Sequence, residues 1–267
     1  MVKISIGTAG WDYKDWVGPF YPKKLKKSQH LEYFSKIFNL VEINSTFYNL
    51  PSENMIINWN NRVPKSFRFI IKGWQKITHN LEDPDLDSYI IEFFSRMSFL
   101  RPKIAGFLLQ FPPWFKYSEI HLQKLKILLG EIPSDYKYFV ELRDNSWFEP
   151  EILSQFIDGN QKILGTTYKP GILSYYLKNQ IYYYIRLIGD RELTIFNHVQ
   201  RDQIEVLNHL ENNIQNLLKI PKIYEIFIIV NNHFAGFAPE SVNELKKKWG
   251  ISYRVFNKQK RLIDFIE

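Results

Sequence analysis

The chain has 267 residues, of which 45% are hydrophobic, and it carries a formal net charge of +7 at pH 7. It contains no cysteine, which excludes disulfides, thiolate metal sites and a cysteine nucleophile. The length suits one (β/α)8 barrel of about 250 residues. The positive charge favours anionic partners, although the lysines are spread along the whole sequence.

Neither a signal peptide nor a membrane helix is predicted. The first residues, MVKISIGTAGW, run directly into a strand-like pattern and lack the apolar core and cleavage site of a signal peptide. No apolar stretch approaches the roughly 18 residues that a membrane helix needs. We therefore predict a cytoplasmic protein without a membrane partner.

Eight short runs rich in β-branched and aromatic residues alternate with helical patterns along the chain. Most of these runs are nearly continuously apolar, which is typical of strands buried on both faces of a parallel sheet. The predicted strands are Lys3–Thr8, Leu40–Asn44, Phe67–Gly73, Ile104–Phe111, Tyr136–Arg143, Lys162–Thr167, Ile181–Gly189 and Ile223–Asn232.

Helical patterns separate most of these strands. The stretch between the sixth and seventh strands is the exception, because it is short and contains Pro170 and Gly171. The alternation predicts a (β/α)8 TIM-like barrel with an irregular connection at that point, formed as a single domain over residues 1–267. A doubly wound open sheet is the alternative, but the sequence lacks a glycine-rich dinucleotide-binding motif. The predicted helices are Ser28–Phe38, Ser52–Asn60, Leu86–Leu100, Ser118–Leu129, Gln200–Leu218 and Pro239–Gly250.

Polar residues collect at the carboxyl ends of the predicted strands, whose middles are almost wholly apolar. In a parallel barrel these ends meet at one face, which carries the chemistry of barrel enzymes. Glu42 and Asn44 are two residues apart, as are Glu141 and Arg143, so each pair points to one side of its strand. The residues expected at this face are Trp11, Glu42, Asn44, Lys72, His79, Gln110, Glu141, Arg143, Trp147, Arg186, Asn231, Asn232 and His233.

These residue types are suited to acid–base chemistry on a bound anion. Carboxylates and imidazoles can supply a general acid and a general base, whereas lysine and arginine can clamp negative charge. Aromatic rings suit the faces of sugars or nucleobases. The predicted catalytic residues are Glu42, Glu141, His79 and His233. The predicted ligand-binding residues are Trp11, Asn44, Lys72, Gln110, Arg143, Trp147, Arg186, Asn231 and Asn232.

A structural role is the alternative for each of these residues. Glu141 with Arg143, or Glu42 with Lys72, would then form only ion pairs at the barrel mouth. The two histidines would hold loops, and His233 in particular would orient the turn into the last helix.

Metal binding is a less favoured alternative. No short-spaced metal-binding motif is present, and the basic neighbours would repel a cation. The side chains that could in principle bind a divalent ion are Glu42, Glu141, His79 and His233. We therefore predict no metal ligand and no specific cofactor.

Six sequence segments carry a family resemblance. They are GTAGW (Gly7–Trp11), VEINSTFY (Val41–Tyr48), FRFIIK with ITH (Phe67–His79), LLQFPP (Leu108–Pro113), VELRDNSW (Val140–Trp147) and NNHFAGFAP (Asn231–Pro239). In these segments the chain resembles the YecE-like proteins, the family known as domain of unknown function 72 (DUF72). The resemblance implies a TIM-like barrel, and it implies no reaction, because the family's activity is not established.

The chain departs from the family pattern at two strand ends. The seventh strand of the family usually reads Arg-x-His-Gly, whereas this chain has RLIG, with Ile188 at the histidine position. The sixth strand of the family often ends in aspartate, whereas Thr166, Thr167 and Tyr168 stand here. These departures indicate that part of a shared site is lost or that its chemistry is altered.

The sequence is compatible with three functions. The favoured one is an enzyme that performs acid–base or hydrolytic chemistry on a polar, anionic, sugar-like or nucleotide-like ligand. The second is a nucleic-acid-binding protein or nuclease similar to the barrel endonucleases that act at abasic sites, although this chain has few metal-ligating residues. The third is a barrel that binds a ligand without converting it. The segment that favours nucleic acid is YPKKLKK, with Lys23, Lys24, Lys26 and Lys27.

Overall fold

The computed structural model describes residues 2–256, which form a closed barrel of eight parallel strands. The strands pair in chain order, and the last strand closes on the first along six residue pairs, from Lys3 with Glu225 to Thr8 with Val230. The predicted (β/α)8 TIM-like barrel is therefore confirmed. The strands are β1 Lys3–Ala9, β2 Leu40–Ile43, β3 Arg68–Lys72, β4 Ile104–Gln110, β5 Tyr138–Glu141, β6 Lys162–Tyr168, β7 Tyr182–Leu187 and β8 Glu225–Val230.

Helices occupy most of the connections, and each of the six predicted helices overlaps an observed one. The α-helices of the described residues are α1 His30–Ile37, α2 Glu53–Arg62, α3 Gln75–Thr78, α4 Leu86–Met97, α5 Glu119–Glu131, α6 Pro150–Leu153, α7 Ile204–Leu218, α8 Asn232–Ala235 and α9 Ala238–Lys248. Short 3-10 helices occur at Lys14–Trp16, Lys27–Gln29, Ser45–Phe47, Ser98–Lys103 and Asn145–Trp147.

Helices α3, α6 and α8 were not predicted, because four residues contain too little of the helical period to be read from sequence. The connection between β6 and β7, residues 169–181, contains neither helix nor strand, as its proline and glycine predicted. No helix within residues 2–256 is both long and apolar enough to span a bilayer.

Apolar residues pack on both sides of the strands. The larger core lies between the barrel and its helices, whereas a smaller one fills the barrel interior and includes Ile70, Leu108 and Phe139. Within the interior, the rings of Phe139 and Tyr184 stack with centroids 4.3 Å apart. Because both faces are covered, the strands are buried along almost their whole length, which explains their continuous hydrophobicity.

A polar layer closes the amino-terminal end of the barrel interior. Arg68 donates to both carboxylate oxygens of Glu225, at 2.9 and 2.7 Å, and the hydroxyl of Ser5 donates to Glu225 at 2.6 Å. Lys3 reaches the same carboxylate from the solvent side at 3.3 Å. The interior is therefore apolar in its middle, and its buried charges are concentrated near the two ends.

The turns after β7 and β8 lie against each other at the carboxyl end of the barrel. Gly189 follows β7 with φ of +75°, and a Cβ placed there would stand 2.2 Å from the backbone oxygen of His233. Glycine is needed here for two reasons, the left-handed backbone conformation and the close approach of the His233 backbone. This contact fixes the position of the segment that carries His233.

The contact can be tested by comparing two glycines with similar backbone angles. Gly171 has φ of +82°, but no atom lies within 4 Å of a Cβ added there. We expect Gly171→Ala to lower the free energy of unfolding by about 1 kcal/mol, the cost of the left-handed conformation. Gly189→Ala should lower it by about 3 kcal/mol, because the backbone of His233 must also move. Urea unfolding measures both values, and equal losses would contradict the contact.

Candidate active site

The upper layer of the barrel interior consists of residues at or near the carboxyl ends of five strands. Because side chains alternate along a strand, these residues share the inward-facing phase of their strands. β2 provides Glu42, β3 Lys72, β4 Gln110, β5 Glu141 and β7 Arg186, and Arg143 follows β5 by two residues. All six side chains are buried.

Arg186 is held by carboxylates on two sides. Its Nη2 and Nε atoms donate to the two oxygens of Glu42 at 2.7 and 3.0 Å, and its Nη1 donates to Oε2 of Glu141 at 2.8 Å. The hydroxyl of Tyr184 also donates to Glu42. Since β2 and β5 lie on different sides of the barrel, this ion pair spans the interior.

The charges in this layer fix its protonation states. Burial alone raises the pKa of Glu141, but the positive charges of Arg143 and Arg186 outweigh burial and lower that pKa to about 2. Burial, together with the charge of Glu42, raises the pKa of the Tyr184 hydroxyl well above its ordinary value. At neutral pH Glu141 is therefore ionised and Tyr184 keeps its proton.

Hydrogen bonds connect this ion pair to Lys72. Arg143 donates from Nε to Oε1 of Glu141, and its Nη2 lies 3.5 Å from Oε1 of Gln110. Lys72 donates to the same amide oxygen at 2.8 Å. Gln110 thus accepts from two cations, and it separates Lys72 from the carboxylates.

Lys72 differs from the two arginines of this layer. Among residues 2–256 it takes part in no salt bridge, whereas both arginines do. Its Nζ instead lies 3.9 Å from the ring centroid of Phe47. Burial, reinforced by the charge of Arg186, lowers the pKa of Lys72 to about 7. Near neutral pH the amine and the ammonium are therefore present in comparable amounts.

A chamber of about 440 Å³ opens above the layer. Four layer side chains form its charged and polar floor, and loop residues form its rim. The floor residues are Lys72, Gln110, Arg143 and Arg186. The rim residues are Tyr13, Asn44, Tyr48, Ile188, Arg191, Phe196, Asn231, Asn232 and His233.

The turn after β8 presents an amide to the chamber. The side-chain oxygen of Asn232 accepts from the indole of Trp16 at 3.2 Å and from the backbone of Ala238 at 3.0 Å. Asn232 is only 1% exposed, and its Nδ2 has no hydrogen-bond partner among the described residues. Because buried polar groups are normally satisfied, this amide nitrogen is suited to a ligand in the chamber.

The structure brings His233 to the chamber. Its ring packs edge-on against Phe196 with centroids 4.9 Å apart, and its buried Nδ1 has no hydrogen-bond partner within residues 2–256. Burial and the positive charge of Arg191 lower the pKa of His233. The neighbouring Asn231 accepts from the backbone N–H of His233 at 3.1 Å and thereby caps α8.

His79 does not line the chamber. It packs edge-on against Phe47 at a centroid distance of 5.0 Å and is hydrogen-bonded to Thr78 at 2.9 Å. Burial and the nearby charge of Lys72 lower the pKa of His79 to about 4. In this structure Phe47 contacts both His79 and Lys72, so His79 adjoins the site without facing it.

The two predicted tryptophans have different environments. Trp147 is fully buried in the outer core, where its indole donates to the backbone oxygen of Phe115 at 2.6 Å. The ring therefore has no surface in the chamber and supports the loop after β5, and its role toward a ligand stays a prediction. Trp11 lies in a groove of about 830 Å³ that adjoins the chamber.

The other predicted site residues lie at the floor or the rim of the chamber, or directly beneath it. Glu42 and Glu141 lie beneath the chamber, where both are engaged by Arg186. The predicted ligand-binding residues that line the chamber are Asn44, Lys72, Gln110, Arg143, Arg186, Asn231 and Asn232. Their proposed roles toward a ligand stay predictions.

Several residues of the site, Tyr48 among them, were not predicted from the sequence. Tyr184 precedes Arg186 by two positions in β7, so the alternation along the strand could have selected it. Tyr13, whose hydroxyl donates to the backbone oxygen of Ala9, follows the GTAGW segment. Arg191 and Phe196 belong to the long loop after β7, where no periodic pattern marks the inward direction.

The acidic and imidazole side chains do not form a metal centre. Within residues 2–256 no group of three or more His, Asp or Glu side chains is placed to hold a metal ion. Both carboxylates that were considered as ligands, Glu42 and Glu141, have arginine nitrogens at their oxygens instead.

Comparison with known proteins places the chain among proteins of undefined activity. A family model described as "Protein of unknown function DUF72" matches residues 5–263. The chain is 32% identical over 161 residues to the UPF0759 protein YunF of Bacillus subtilis, across 57% of this chain and 55% of that protein. It is 33% identical over 145 residues to the UPF0759 protein YecE of Escherichia coli K12, across 54% and 50%. The chain thus spans about half the length of these curated relatives.

Solved structures share the fold over nearly the whole chain. A DUF72 family protein from Thermotoga maritima superposes with a TM-score of 0.75 at 24% identity, covering 93% of this chain and 99% of that one. A DUF72 family protein from Enterococcus faecalis has a TM-score of 0.75 at 22% identity, covering 94% and 99%. At these identities the similarity supports the barrel architecture alone.

The ion pair of Arg186 predicts a large and pH-dependent loss of stability. Arg186→Leu leaves two carboxylates buried without their shared partner, and we expect the free energy of unfolding to fall by about 3–5 kcal/mol at pH 8. Without Arg186 the pKa of Glu141 rises in the folded protein. As the pH falls this carboxyl takes up a proton, and the cost of its buried charge to the folded state decreases. The loss should therefore be smaller at pH 5 than at pH 8.

An exposed ion pair provides the matched control. Lys36 pairs with Glu32 at 2.9 Å on the surface of α1, and Lys36→Leu should change the free energy of unfolding far less than Arg186→Leu at either pH. Urea unfolding at both pH values measures the four differences. A loss below about 1 kcal/mol for Arg186→Leu would show that the ion pair does not hold the layer together.

Proposed function

Because this chain belongs to the DUF72 family, whose activity is undefined, we propose a function from the chemistry of its chamber. We propose an enzyme that binds a small, anionic, sugar-like or nucleotide-like ligand at the carboxyl end of the barrel and performs acid–base or hydrolytic chemistry on it. The observation that carries the proposal is Lys72, a buried amine on the chamber floor that joins no salt bridge among residues 2–256.

Electrostatics favours an anionic ligand. The layer contains three cationic side chains, Lys72, Arg143 and Arg186, against the two carboxylates. Arg191 adds a further positive charge at the rim. At 4 Å and an effective dielectric constant near 20, one ion pair contributes about 4 kcal/mol of Coulomb energy before desolvation is counted. An anion bound above the floor would therefore balance the positive charge that the two carboxylates do not neutralise.

Proton transfer in this proposal is assigned mainly to Lys72. A pKa of about 7 lets the amine accept a proton and the ammonium donate one near neutral pH. Glu42 and Glu141 hold Arg186 in place, and Glu141 with a pKa of about 2 is a weak proton acceptor at neutral pH. His233 at the rim is the second candidate proton carrier, because its Nδ1 is unpaired within the described chain and it lines the chamber.

Nucleic-acid binding is the second candidate function. Lys23, Lys24 and Lys26 are exposed in the loop after β1, and Lys27 lines the groove beside the chamber. Phosphate contacts made by such lysines would give an affinity for single-stranded DNA that falls steeply with salt. A small anion bound on the chamber floor would depend on Lys72 instead, so the two candidates differ in the lysines that they require.

Sulfate is a suitable probe of the anion site, because it keeps its charge between pH 6 and 9. We expect calorimetric titration at constant ionic strength to show that sulfate affinity falls as the pH rises through the pKa of Lys72, since the ammonium form is lost. Lys72→Met should weaken sulfate binding about tenfold at pH 6, or about 1.4 kcal/mol, and should remove the pH dependence.

Lys126→Met is the matched control, because Lys126 is exposed on α5 and does not line the chamber. It should bind sulfate as the unchanged protein does. Lys72→Met should not lower the free energy of unfolding at pH 6, because it removes a desolvated charge. Sulfate binding that ignores both Lys72 and pH would contradict the anion site.

Catalysis requires a separate measurement. Incubation with a panel of sugar phosphates and nucleotides, followed by proton and phosphorus NMR, should reveal conversion of at least one compound. Lys72→Met is expected to reduce that rate by about 100-fold or more, the contribution typical of a positioned general acid or base. Compounds that bind in a Lys72-dependent manner without any conversion would instead establish a ligand-binding barrel without enzymatic activity.

A further inference from the structure

A groove of about 830 Å³ adjoins the chamber near the loops that follow β1 and β2. Tyr13 and Asn44 line both spaces, so the chamber and the groove are adjacent across these two side chains. Each space lies within the size range of about 300–1,000 Å³ that is usual for small-molecule sites. The position of the groove beside the chamber is therefore suited to the second part of a ligand whose first part lies in the chamber.

Helix α2 supplies most of one groove wall. Asn54, Asn58 and Arg62 are spaced four residues apart and form one row, and Met55 and Trp59 form a second row beside it. Both asparagines are exposed, so their amides can donate to and accept from a ligand. This wall combines amide groups with an apolar surface.

A second indole packs against Trp59 in the groove lining. Trp11 meets Trp59 with ring centroids 5.5 Å apart and an interplanar angle of 86°, so the edge of one ring faces the plane of the other. This edge-to-face contact holds both rings in the groove lining, and it leaves no space between parallel rings for a flat ligand. A ring face of this pair can pack against the C–H face of a sugar ring, and the amides of Asn54 and Asn58 beside it can bind the hydroxyl groups of that ring.

The charges of the groove are paired or in contact with water, in contrast to the buried amine of the chamber. Asp12 pairs with Lys27 at 3.1 Å, whereas Arg62 keeps its charge, donates to the backbone oxygen of Ser28 and is partly exposed to solvent. The floor of the chamber, by comparison, keeps Lys72 without a carboxylate partner in the described chain. A ligand that fills both parts should therefore be charged at one end and neutral at the other.

We propose that the groove is a sugar-binding subsite, which holds the neutral sugar ring of an acidic saccharide whose carboxylate or phosphate lies in the chamber. Asn54 and Asn58 bind its hydroxyl groups, and Trp11 and Trp59 contact its C–H face. The inference rests on the proposed function for the anionic end of the ligand, and it adds the substrate class and a second set of binding residues.

Sugar acids of increasing length test the subsite. Gluconate offers only the anionic end, whereas lactobionate, cellobionate and maltobionate add one neutral hexose ring to the same acid. We expect calorimetric titration of the full chain to give at least one disaccharide acid an affinity about tenfold or more above that of gluconate.

Two variants locate the added affinity, and a third serves as control. Trp59→Ala and Asn58→Ala should reduce the advantage of the disaccharide acid to about threefold or less while leaving gluconate binding unchanged. Asn61→Ala changes an exposed asparagine of the same helix that does not line the groove, and it should leave both affinities unchanged. Because Asn58 is exposed, its variant keeps the test valid even where Trp59→Ala unfolds.

The outcomes separate this inference from the proposed function. If none of the three disaccharide acids binds more tightly than gluconate, the subsite is overturned while the anion site stands. If gluconate and sulfate fail to bind while neutral cellobiose binds and depends on Trp59, the anion site is overturned and the subsite stands. If AMP binds more tightly than every sugar acid and loses that advantage in Trp59→Ala, the groove is a base-binding site and the sugar class is wrong.

Discussion

The organisation of the upper barrel depends on one guanidinium shared between two buried carboxylates. Arg186 meets Glu42 and Glu141 at 2.7–3.0 Å, and none of these side chains is more than 3% exposed. Arginine does not release its proton at physiological pH, and each buried partner of the ion pair is costly to remove. The side chains that surround it are consequently held before any ligand arrives, which is the condition for electrostatic catalysis.

Engaging both carboxylates leaves the layer with an excess of positive charge. Arg143 shares Glu141 with Arg186, and Lys72 is left with a neutral amide and an aromatic ring. Ile188 lines the chamber at the position where the DUF72 family usually has histidine, and its side chain cannot exchange protons. In the proposed function a proton carrier must therefore come from another position, and a pKa of about 7 makes Lys72 the best placed of the chamber residues.

Alternation along parallel strands made much of the fold and of the chamber floor predictable. Strand order and barrel closure follow from the eight strand patterns that alternate with helical patterns, and the place of Lys72, Gln110 and Arg186 in the site follows from their position at strand ends. The pairing across the barrel was not predictable, since Glu42 binds Arg186 rather than Lys72 and only the stagger of the strands decides which tips meet. Loop residues such as Trp147 lacked any period, so composition alone could not show whether a ring faces the ligand or the core.

The two polar layers of this barrel differ in a way that argues for function at only one of them. At the amino-terminal end Glu225 meets Arg68, Ser5 and Lys3, so its buried carboxylate has donors on all sides. At the carboxyl-terminal end a buried amine joins no salt bridge, and a buried amide nitrogen has no partner, within the described residues. Buried polar groups without partners lower the free energy of unfolding. The amino-terminal layer shows that this barrel can supply partners to a buried charge. The position of this amine and this amide at an open chamber supports the charged ligand that we propose, because its binding would supply the interactions that the protein itself does not.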